Sequence, residues 1–559
     1  MFRRLNFVYL FFLIFIVILS VKLFDWQVIK GEDLARQAKN QYTVGKVVSA
    51  PRGSILASDG SILSGRRESW LLWASLPSLK ENPTNVAKEL APILLEDEVN
   101  IENILSRSGI IWVPIKHKVA TEVKNNIEAL GIPGLGFDLE EDRYYPEASA
   151  AAHLLGFVGK DSDGGNIGYF GLEGYYNLSL SGKSGYTSAD NDAQGLPILL
   201  GSFKNTSALE GVDLVTNIDK AVQLILEKRL KEGVEKYGAS GGTVIVADPK
   251  TGAILGMSAY PAFESSKYFD YGDTYFKNPA ISDTFEPGSV FKVIVMASAL
   301  DAGVVTPETI CDNCTGPLKV DKYLIETWDR KYHPDSTMTE VIVYSDNVGM
   351  AFVGQKLGAD AFYDYLDKFG IGKTTGIDLQ GEVSIPLRAK GSWNIVDLAT
   401  ASFGQGVAVT GIEMVRAVSA IANEGKLPTP EVVNFLKGKT WQEKIKPKIV
   451  QIISSQAASE MTAMMVAAAK NGESKWTNTK GFSVAGKTGT AQIPIAGHYD
   501  AKNTIASFIG FSPAQNPKFI MLVTLNKPSS SQWASETAAP LWYSIAKDLF
   551  PYFSIQPES

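Results

Sequence analysis

The chain is 559 residues long, 45% of its residues are apolar, and its formal net charge is −7. That length is too great for one hydrophobic core, so we expect two or three globular domains. The net charge is negative and Lys and Arg form no basic stripe, which excludes nucleic acid as an expected partner.

An uncharged, strongly apolar run covers residues 7–21. With its flanks it reaches the lower end of the ~17–25 residues that cross a bilayer. Arg3 and Arg4 precede the run, which favours a cytoplasmic N-terminus. A cleaved signal peptide is the alternative, but no small-x-small cleavage site follows the run. We therefore predict a retained signal-anchor over residues 1–24, with everything from Asp25 onward outside the cytoplasmic membrane.

Residues 25–208 contain short alternating apolar runs separated by turns, which indicate an elongated mixed α/β domain. From about residue 209 the pattern becomes more regular. Residues 219–236 predict a helix, and residues 243–247 and 253–258 predict the two strands of a hairpin. We therefore place a domain boundary near residue 208 and a second domain over residues 209–559.

The predicted nucleophile, Ser289, belongs to Ser289-Val290-Phe291-Lys292, which follows the turn signal Glu286-Pro287-Gly288 and opens an apolar run. The run predicts a buried helix with Ser289 in its first turn. Residues three apart on a helix share a face, so we expect the Lys292 amine beside the Ser289 hydroxyl. A buried lysine tends toward its neutral form and can accept the hydroxyl proton. The free N–H groups at the helix start suit a developing oxyanion.

The two cysteines form Cys311-Asp312-Asn313-Cys314, directly after that helix. Such a pair can be a redox couple, half of a zinc site or a local disulfide. Zinc needs four ligands and only His333 is near in sequence, so we expect no metal. A redox role lacks a thioredoxin-like context. A short disulfide and two inert thiols remain as alternatives, neither with a part in the chemistry.

Ser345-Asp346-Asn347 lies between two predicted helices. The first begins at Thr337-Met338-Thr339-Glu340, which has capping-box spacing, and the second covers residues 347–357 and ends at Gly358. At such a junction polar side chains can project into a cleft. An isolated S-x-N is more often an ordinary helix cap, so this motif gains its meaning from the other two.

Lys487-Thr488-Gly489-Thr490 precedes two β-rich runs and predicts a strand that lines a cleft. Gly489 would let a substrate backbone approach closely, and the two threonine hydroxyls with the Lys487 charge would bind a carboxylate. A lone K-T-G is more often a turn. However, S-x-x-K, S-D-N and K-T-G in this order resemble the signature of penicillin-binding proteins and class A β-lactamases.

Two more strands are predicted near Ser507 and Phe519, and residues 533–549 predict a closing helix. With the strand near Val484 and the earlier hairpin, this gives about five antiparallel strands. The predicted fold class is therefore α+β.

With these motifs, the chain resembles class B penicillin-binding proteins, which are peptidoglycan D,D-transpeptidases, over nearly its whole length. Further blocks similar to those of the family's pedestal and catalytic domain are Arg52-Gly53-Ser54-Ile55, Arg143-Tyr144-Tyr145-Pro146, Gly171-Leu172-Glu173, Gly182-Lys183-Ser184-Gly185, Gly404-Gln405-Gly406 and Phe508-Ile509-Gly510-Phe511. The form Phe285-Glu286-Pro287-Gly288-Ser289 is closer to the septal, division-specific branch than to the elongation branch. Two positions depart from related patterns: Ala57-Ser58-Asp59-Gly60 keeps only the turn of the family's Asp-Arg-Asn-Gly stretch, and Ala148 stands where a glycosyltransferase motif needs histidine.

The resemblance implies that residues 25–208 are a non-catalytic pedestal, similar to a dimerisation domain. It implies that residues 209–559 are a β-lactamase-like transpeptidase domain, in which helices flank the sheet and a helical subdomain carries the second motif. No cofactor is implied. The implied partners are peptidoglycan stem peptides of the lipid-linked precursor polymer, β-lactams, and a polytopic membrane glycosyltransferase of the division or elongation machinery.

The implied mechanism begins with attack of Ser289, with Lys292 as base, on the carbonyl between two terminal D-alanines. Asn347 orients the amide and Ser345 relays a proton to the leaving group. An amine from a neighbouring stem peptide then takes the acyl group, and β-lactams acylate the same serine as mimics. The backbone N–H groups of Ser289 and Thr490 form the oxyanion hole. The remaining site residues bind the terminal carboxylate or support it: Lys487, Thr488, Gly489 and Thr490.

Other functions stay open at this point. Hydrolysis, by a D,D-carboxypeptidase or β-lactamase, needs a base positioned to activate water, and no class A-style glutamate motif is evident. A non-enzymatic β-lactam sensor or divisome scaffold could use the same fold. A sensor would need a cytoplasmic signalling portion, whereas only a few residues precede the predicted span. The sequence does not decide between a septal and an elongation role, the acceptor amine or the oligomeric state.

Overall fold

The computed structural model describes residues 2–162, 164–190, 203–495 and 498–558. The chain divides into two compact units, of which the smaller comprises residues 1–52 and 181–211 and the larger comprises residues 53–180 and 212–559. The chain thus leaves the smaller unit and returns to it. The sequence patterns predicted domains that are each one continuous segment, with boundaries near residues 24 and 208. These domain boundaries stay predictions.

The smaller unit begins with the helix Phe2–Phe24, followed by the π-helical turn Asp25–Ile29 and the helix Gly31–Tyr42. The apolar side chains of the first helix are exposed. By length and composition, the segment Arg3–Ile29 could span a membrane. A three-stranded antiparallel sheet completes this unit, in the order Thr43–Val48, Gly185–Asp190 and Phe203–Thr206.

The N-terminal part of the larger unit is built on a seven-stranded sheet. Its longest strand, Ile62–Ser75, pairs antiparallel with three of the others. The other strands are Ile55–Leu56, Trp112–Val119, Leu135–Tyr144, Asp213–Thr216, Val433–Lys437 and Gln442–Lys444. The helices of this part are Pro83–Leu94, Glu98–Leu105, Thr121–Glu128, Ala152–Leu155, Gly171–Tyr175 and Asn177–Ser181, with a hairpin of Phe157–Lys160 and Asn166–Tyr169. Two strands from beyond residue 430 therefore complete a sheet whose other strands all lie before residue 217 in the sequence.

A buried ion pair joins two sequence blocks of this part. The Arg143 Nε donates to Glu173 Oε1 at 2.6 Å, and Arg143 Nη1 donates to the Gly53 carbonyl oxygen at 2.7 Å. The Ser64 hydroxyl donates to the same Glu173 oxygen at 3.2 Å. Glu173 is fully buried, so these bonds hold its charge in an environment where an unpaired carboxylate would be costly.

The central sheet of the larger unit has five antiparallel strands, as predicted. Their order is Ile254–Tyr260, Gly241–Ala247, Phe519–Asn526, His498–Ser512 and Ala485–Ile495. Buried side chains from successive positions alternate between two cores. Val244 and Val246 belong to one core and Ile245 and Ala247 to the other. Burial on both faces explains why these strands are nearly continuous apolar runs in the sequence.

Helices cover both faces of this sheet. Lys220–Tyr237 and Ala538–Tyr552 pack on one face. The buried nucleophile helix Lys292–Asp301 lies among the helices of the other core, which also contains Gly411–Ala422 and Ser455–Asn471. The remaining helices are Pro279–Ser282, Met338–Val343, Asn347–Leu357, Ala359–Phe369 and Ile395–Ala401. Short strand pairs are Thr284–Phe285 with Val409–Thr410, Leu318–Val320 with Tyr323–Ile325, and Lys426–Pro428 with Ile449–Gln451. The α+β class with a helical subdomain is thus confirmed.

Cys311 and Cys314 are joined by a disulfide, and both are buried. Of the two alternatives left open by the sequence, the structure therefore has the short disulfide. Within the described ranges, no group of three or more His, Cys, Asp or Glu side chains is placed to hold a metal ion.

Candidate active site

Ser289 lies in a 3₁₀ turn, Gly288–Phe291, that leads directly into the helix Lys292–Asp301. The sequence predicted one continuous helix here, whereas the structure begins it with this 3₁₀ turn. Gly288 has a φ of +56° and donates its N–H to the Gly404 carbonyl oxygen at 3.1 Å. Residues three apart eclipse in a 3₁₀ turn, so Ser289 and Lys292 share a face, and Ser289 stays partly exposed to the cleft.

The Lys292 side chain is completely buried and bonds to the helix junction. Its Nζ donates to the Ser345 carbonyl oxygen at 2.6 Å and to Asn347 Oδ1 at 2.8 Å, and it lies 3.3 Å from Ser345 Oγ. No hydrogen bond between Lys292 and Ser289 is found in the described parts of the chain, although the sequence predicted that they are neighbours. Burial, and then the positive charge of Lys487, lower the pKa of Lys292 to about 7. A lysine with that pKa can act as a base near neutral pH.

Ser345, Asp346 and Asn347 occupy the predicted junction between two helices. The Thr337–Glu340 capping box starts the first helix, and Asp346 Oδ1 accepts the Val348 and Gly349 N–H groups at the start of the second. Ser345 is buried and has a φ of +58°. This left-handed conformation costs a non-glycine residue about 1–3 kcal/mol and is typical of functional sites. It turns the serine toward both lysines.

Lys487 belongs to Ala485–Ile495, the edge strand of the central sheet, so the predicted strand does line the cleft. Its Nζ donates to Ser345 Oγ at 2.9 Å and to the Thr488 carbonyl oxygen at 3.2 Å, and it lies 3.3 Å from Thr488 Oγ1. Burial lowers the pKa of Lys487, and the negative charge of Glu473 opposes that shift. The Ser345 hydroxyl therefore contacts both lysine amines.

The two threonines of this strand have different partners. Thr488 Oγ1 donates to Glu473 Oε2 at 3.0 Å. Thr490 Oγ1 accepts the Ala534 N–H at 3.0 Å, which leaves its own proton available for a ligand. Glu473 was not predicted from the sequence, because it follows the helix Ser455–Asn471 in a stretch without a recognisable motif.

Gly489 contacts the nucleophile turn rather than open space. A Cβ at this position would lie 2.8 Å from Val290 Cγ1 and 2.9 Å from the Pro287 carbonyl oxygen. It would also lie 2.7 Å from Ser507 Oγ. The glycine thus lets the strand and the turn pack together, which is a structural reason that the sequence analysis did not consider. Its predicted approach to a substrate stays a prediction.

One cleft contains most of the predicted site residues. The residues that line it are Ser289, Ser345, Asn347, Thr488 and Thr490. Two buried amines donate to these lining residues: Lys292 Nζ to Asn347 and Lys487 Nζ to Ser345. The other lining residues were not among the predicted site residues, although Gly288, Gln405 and Ala491 lie in sequence blocks similar to those of the family: Gly288, Trp328, Phe403, Gln405, Glu473, Ala491 and Trp533. Among these, Trp328 and Trp533 form an aromatic pair with ring centroids 5.2 Å apart. Scattered aromatic residues carry no local signal that would have revealed this wall.

The chain matches two family models. The penicillin binding protein transpeptidase domain matches residues 242–549, and the penicillin-binding protein dimerisation domain matches residues 47–216. The stage V sporulation protein D of Bacillus subtilis is 33% identical over 571 residues, which cover 99% of this chain and 86% of that protein. A probable peptidoglycan D,D-transpeptidase PenA of Neisseria meningitidis is 30% identical over 500 residues. The aligned residues cover 89% of this chain and 83% of that protein.

A solved structure agrees with these relatives. The crystal structure of a peptidoglycan synthetase from Bifidobacterium adolescentis superposes with a TM-score of 0.74 at 27% identity, covering 92% of this chain and 98% of that one. Since one family model matches more than half of the residues and the relatives align along nearly the entire length, the chain belongs to the penicillin-binding protein transpeptidase family.

Proposed function

We propose that the protein is a peptidoglycan D,D-transpeptidase that cross-links stem peptides through an acyl-serine at Ser289. The observation that carries this proposal is the completely buried Lys292 amine, which has a pKa of about 7 and bonds to Ser345 and Asn347 in a cleft that Ser289 lines. The names of the relatives support the same reaction.

In the proposed first step, Ser289 Oγ attacks the carbonyl carbon between two terminal D-alanines, and Lys292 Nζ takes the hydroxyl proton. Backbone N–H groups of Ser289 and Thr490 stabilise the oxyanion. When the tetrahedral intermediate collapses, the C–N bond breaks and the departing amine takes a proton from the Ser345 hydroxyl. The ammonium of Lys487 returns a proton to Ser345, to which it already donates at 2.9 Å.

In the second step an acceptor amine attacks the acyl-serine. The ester bond breaks and a new amide forms. Lys292 returns its proton to Ser289 Oγ, and the proton of the attacking amine passes through the Ser345 hydroxyl to Lys487, which regains its charge. Before acylation, the Thr490 hydroxyl and the Lys487 charge bind the terminal carboxylate of the donor, which leaves with the released D-alanine. Thr488 takes part only when its proton is not committed to Glu473. Asn347 orients the donor amide, and its Oδ1 is already held by Lys292.

We also propose a single-pass membrane protein with its N-terminus in the cytoplasm and its catalytic domain outside. The exposed apolar helix Phe2–Phe24 and the arginine pair in its first turn, Arg3 and Arg4, support this topology. A polytopic membrane glycosyltransferase would supply the polymer to be cross-linked. The likeness of the Phe285-Glu286-Pro287-Gly288-Ser289 block to the septal branch, together with relatives named FtsI, supports a role at the division septum.

The test is covalent labelling followed by product analysis. Intact mass after incubation with a penicillin should show one adduct, which peptide mapping places on Ser289, and purified protein on lipid-linked precursor polymer should form cross-links. An adduct that persists in Ser289→Ala would refute the assignment of the nucleophile. If D-alanine is released without cross-links although acceptor chains are present, the protein is a carboxypeptidase and not a transpeptidase.

A further inference from the structure

Glu473 is a charged residue of the cleft to which no motif gives a role. It lies just beyond the helix Ser455–Asn471, lines the cleft together with Ser289, and is partly buried. Its Oε2 accepts the Thr488 hydroxyl proton at 3.0 Å, and Thr488 Oγ1 lies 3.3 Å from Lys487 Nζ. A hydroxyl thus links the carboxylate to the buried ammonium.

Each of the two lysines of the site makes it harder for the other to hold a proton. Lys487 Nζ lies 2.9 Å and Lys292 Nζ 3.3 Å from the same Ser345 oxygen, and both amines are buried. Two ammonium groups in one buried site repel each other, so the pair loses its first proton easily and holds its second more firmly. The nearby carboxylates decide which lysine keeps the proton.

The charged groups on the elements around the pair are few. Glu473 faces Lys487 through Thr488, and Asp346 lies on the Lys292 side, where its Oδ1 accepts two N–H groups of the helix that it caps. Other charged or titratable residues on the elements packed against the strand make no hydrogen bond to either lysine among the described residues: Glu460, Lys470, Lys475, His498 and Glu536. Glu473 is therefore the carboxylate that favours a proton on Lys487.

We propose that Glu473 is the counter-ion that keeps Lys487 protonated, so that Lys292 is the neutral lysine that receives the Ser289 proton. Glu473 is a positioning residue in this scheme, because it acts through Thr488 and Lys487 and touches no reacting atom. The inference rests on the proposed function. Burial lowers the pKa of both lysines, and the negative charge of Glu473 opposes this shift at each of them, which agrees with the geometry.

The direction of the effect in a variant follows from charge. Glu473→Gln keeps an oxygen that can accept the Thr488 proton but removes the negative charge. Without that charge the Lys487 ammonium loses its proton at lower pH, so the alkaline limb of the acylation profile moves to lower pH. A charge at ~4–6 Å shifts a pKa by about 1–3 units. Because Glu473 is only partly buried and acts through a hydroxyl, we expect about one pH unit.

The experiment measures the second-order rate constant of acylation by a labelled penicillin, from neutral to alkaline pH, in the full chain. Glu473→Gln should lose rate at lower pH than wild type does. Glu473→Asp, which keeps the charge, should stay closer to wild type. Glu460→Gln is the matched control, since it removes one charge from the preceding helix outside the cleft, and its profile should not move. Equal melting temperatures show that the variants are folded.

Three results would overturn the role of Glu473. One is an alkaline limb that does not move in Glu473→Gln. Another is an equal shift in Glu473→Asp, which would exclude charge as the cause. The third is an unmoved limb with slower hydrolysis of the acyl-enzyme, which would make Glu473 a base that activates water. Absence of any Ser289 adduct in wild type would instead refute the proposed function, and the inference with it.

Discussion

Removal of the Lys292 amine should abolish the pH dependence of acylation around neutrality. The ordinary pKa of a lysine is 10.5, and burial together with the charge of Lys487 lowers that of Lys292 to about 7. At pH 7 about half of such amines are neutral, against roughly one in three thousand at the ordinary value, so the site gains on the order of 10³ in available base. Lys292→Met should therefore slow acylation by ~10²–10⁴-fold, the usual range for a general base.

The assay is the second-order rate constant of acylation by a labelled penicillin at a series of pH values. In wild type the rate should rise about tenfold per pH unit below pH 7 and level off above it, because only the neutral amine accepts a proton. It should fall again only on the alkaline limb, where Lys487 loses its proton. Lys292→Met should be slow and show no such rise. Lys446→Ala, which removes an exposed lysine, is the control. A folded Lys292→Met protein with an unchanged rate and inflection would refute the assignment of Lys292 as the base.

Three further variants test separate features. Gly489→Ala should cost about 1–3 kcal/mol through overpacking and slow acylation, because the new methyl group displaces the nucleophile turn; unchanged kinetics would show that the turn tolerates it. Arg143→Met should lower the melting temperature, since about 3–5 kcal/mol is lost when the buried Glu173 carboxylate loses the positive charge of Arg143; an unaltered melting curve would contradict this. The double variant Cys311→Ser, Cys314→Ser should keep penicillin acylation if it folds, and a folded but inactive protein would give the disulfide a role in the site.

The sequence was sufficient for features that depend on local pattern. Apolar runs with turn signals predicted the strands of the central sheet, and the capping box at Thr337 predicted the start of the helix before Ser345. Ser289 lies in the turn that starts one helix, and Ser345 lies between two others, whereas Lys487 lies within the edge strand. The triple motif also predicted residues that meet in space, because its members are defined by chemistry and order rather than by separation along the chain.

What the sequence did not predict depends on contacts between distant segments. Glu473 meets Thr488 only because its helix end packs beside the edge strand, and Trp328 meets Trp533 across more than two hundred residues. The strand Val433–Lys437 pairs with Asp213–Thr216, so the chain returns to a sheet that a single domain boundary cannot describe. In each case the partners have no shared local pattern.

The partners of Lys292 show why burial and hydrogen bonding must be considered together. A buried lysine without acceptors would simply be neutral, and it could rotate away from the serine. Here the Ser345 carbonyl and Asn347 Oδ1 fix the amine, while the second lysine lowers its affinity for a proton. The left-handed backbone at Ser345 is what brings that carbonyl and the hydroxyl to the same amine. The strain at one residue thus positions both the proposed base, Lys292, and the hydroxyl proposed to relay the proton.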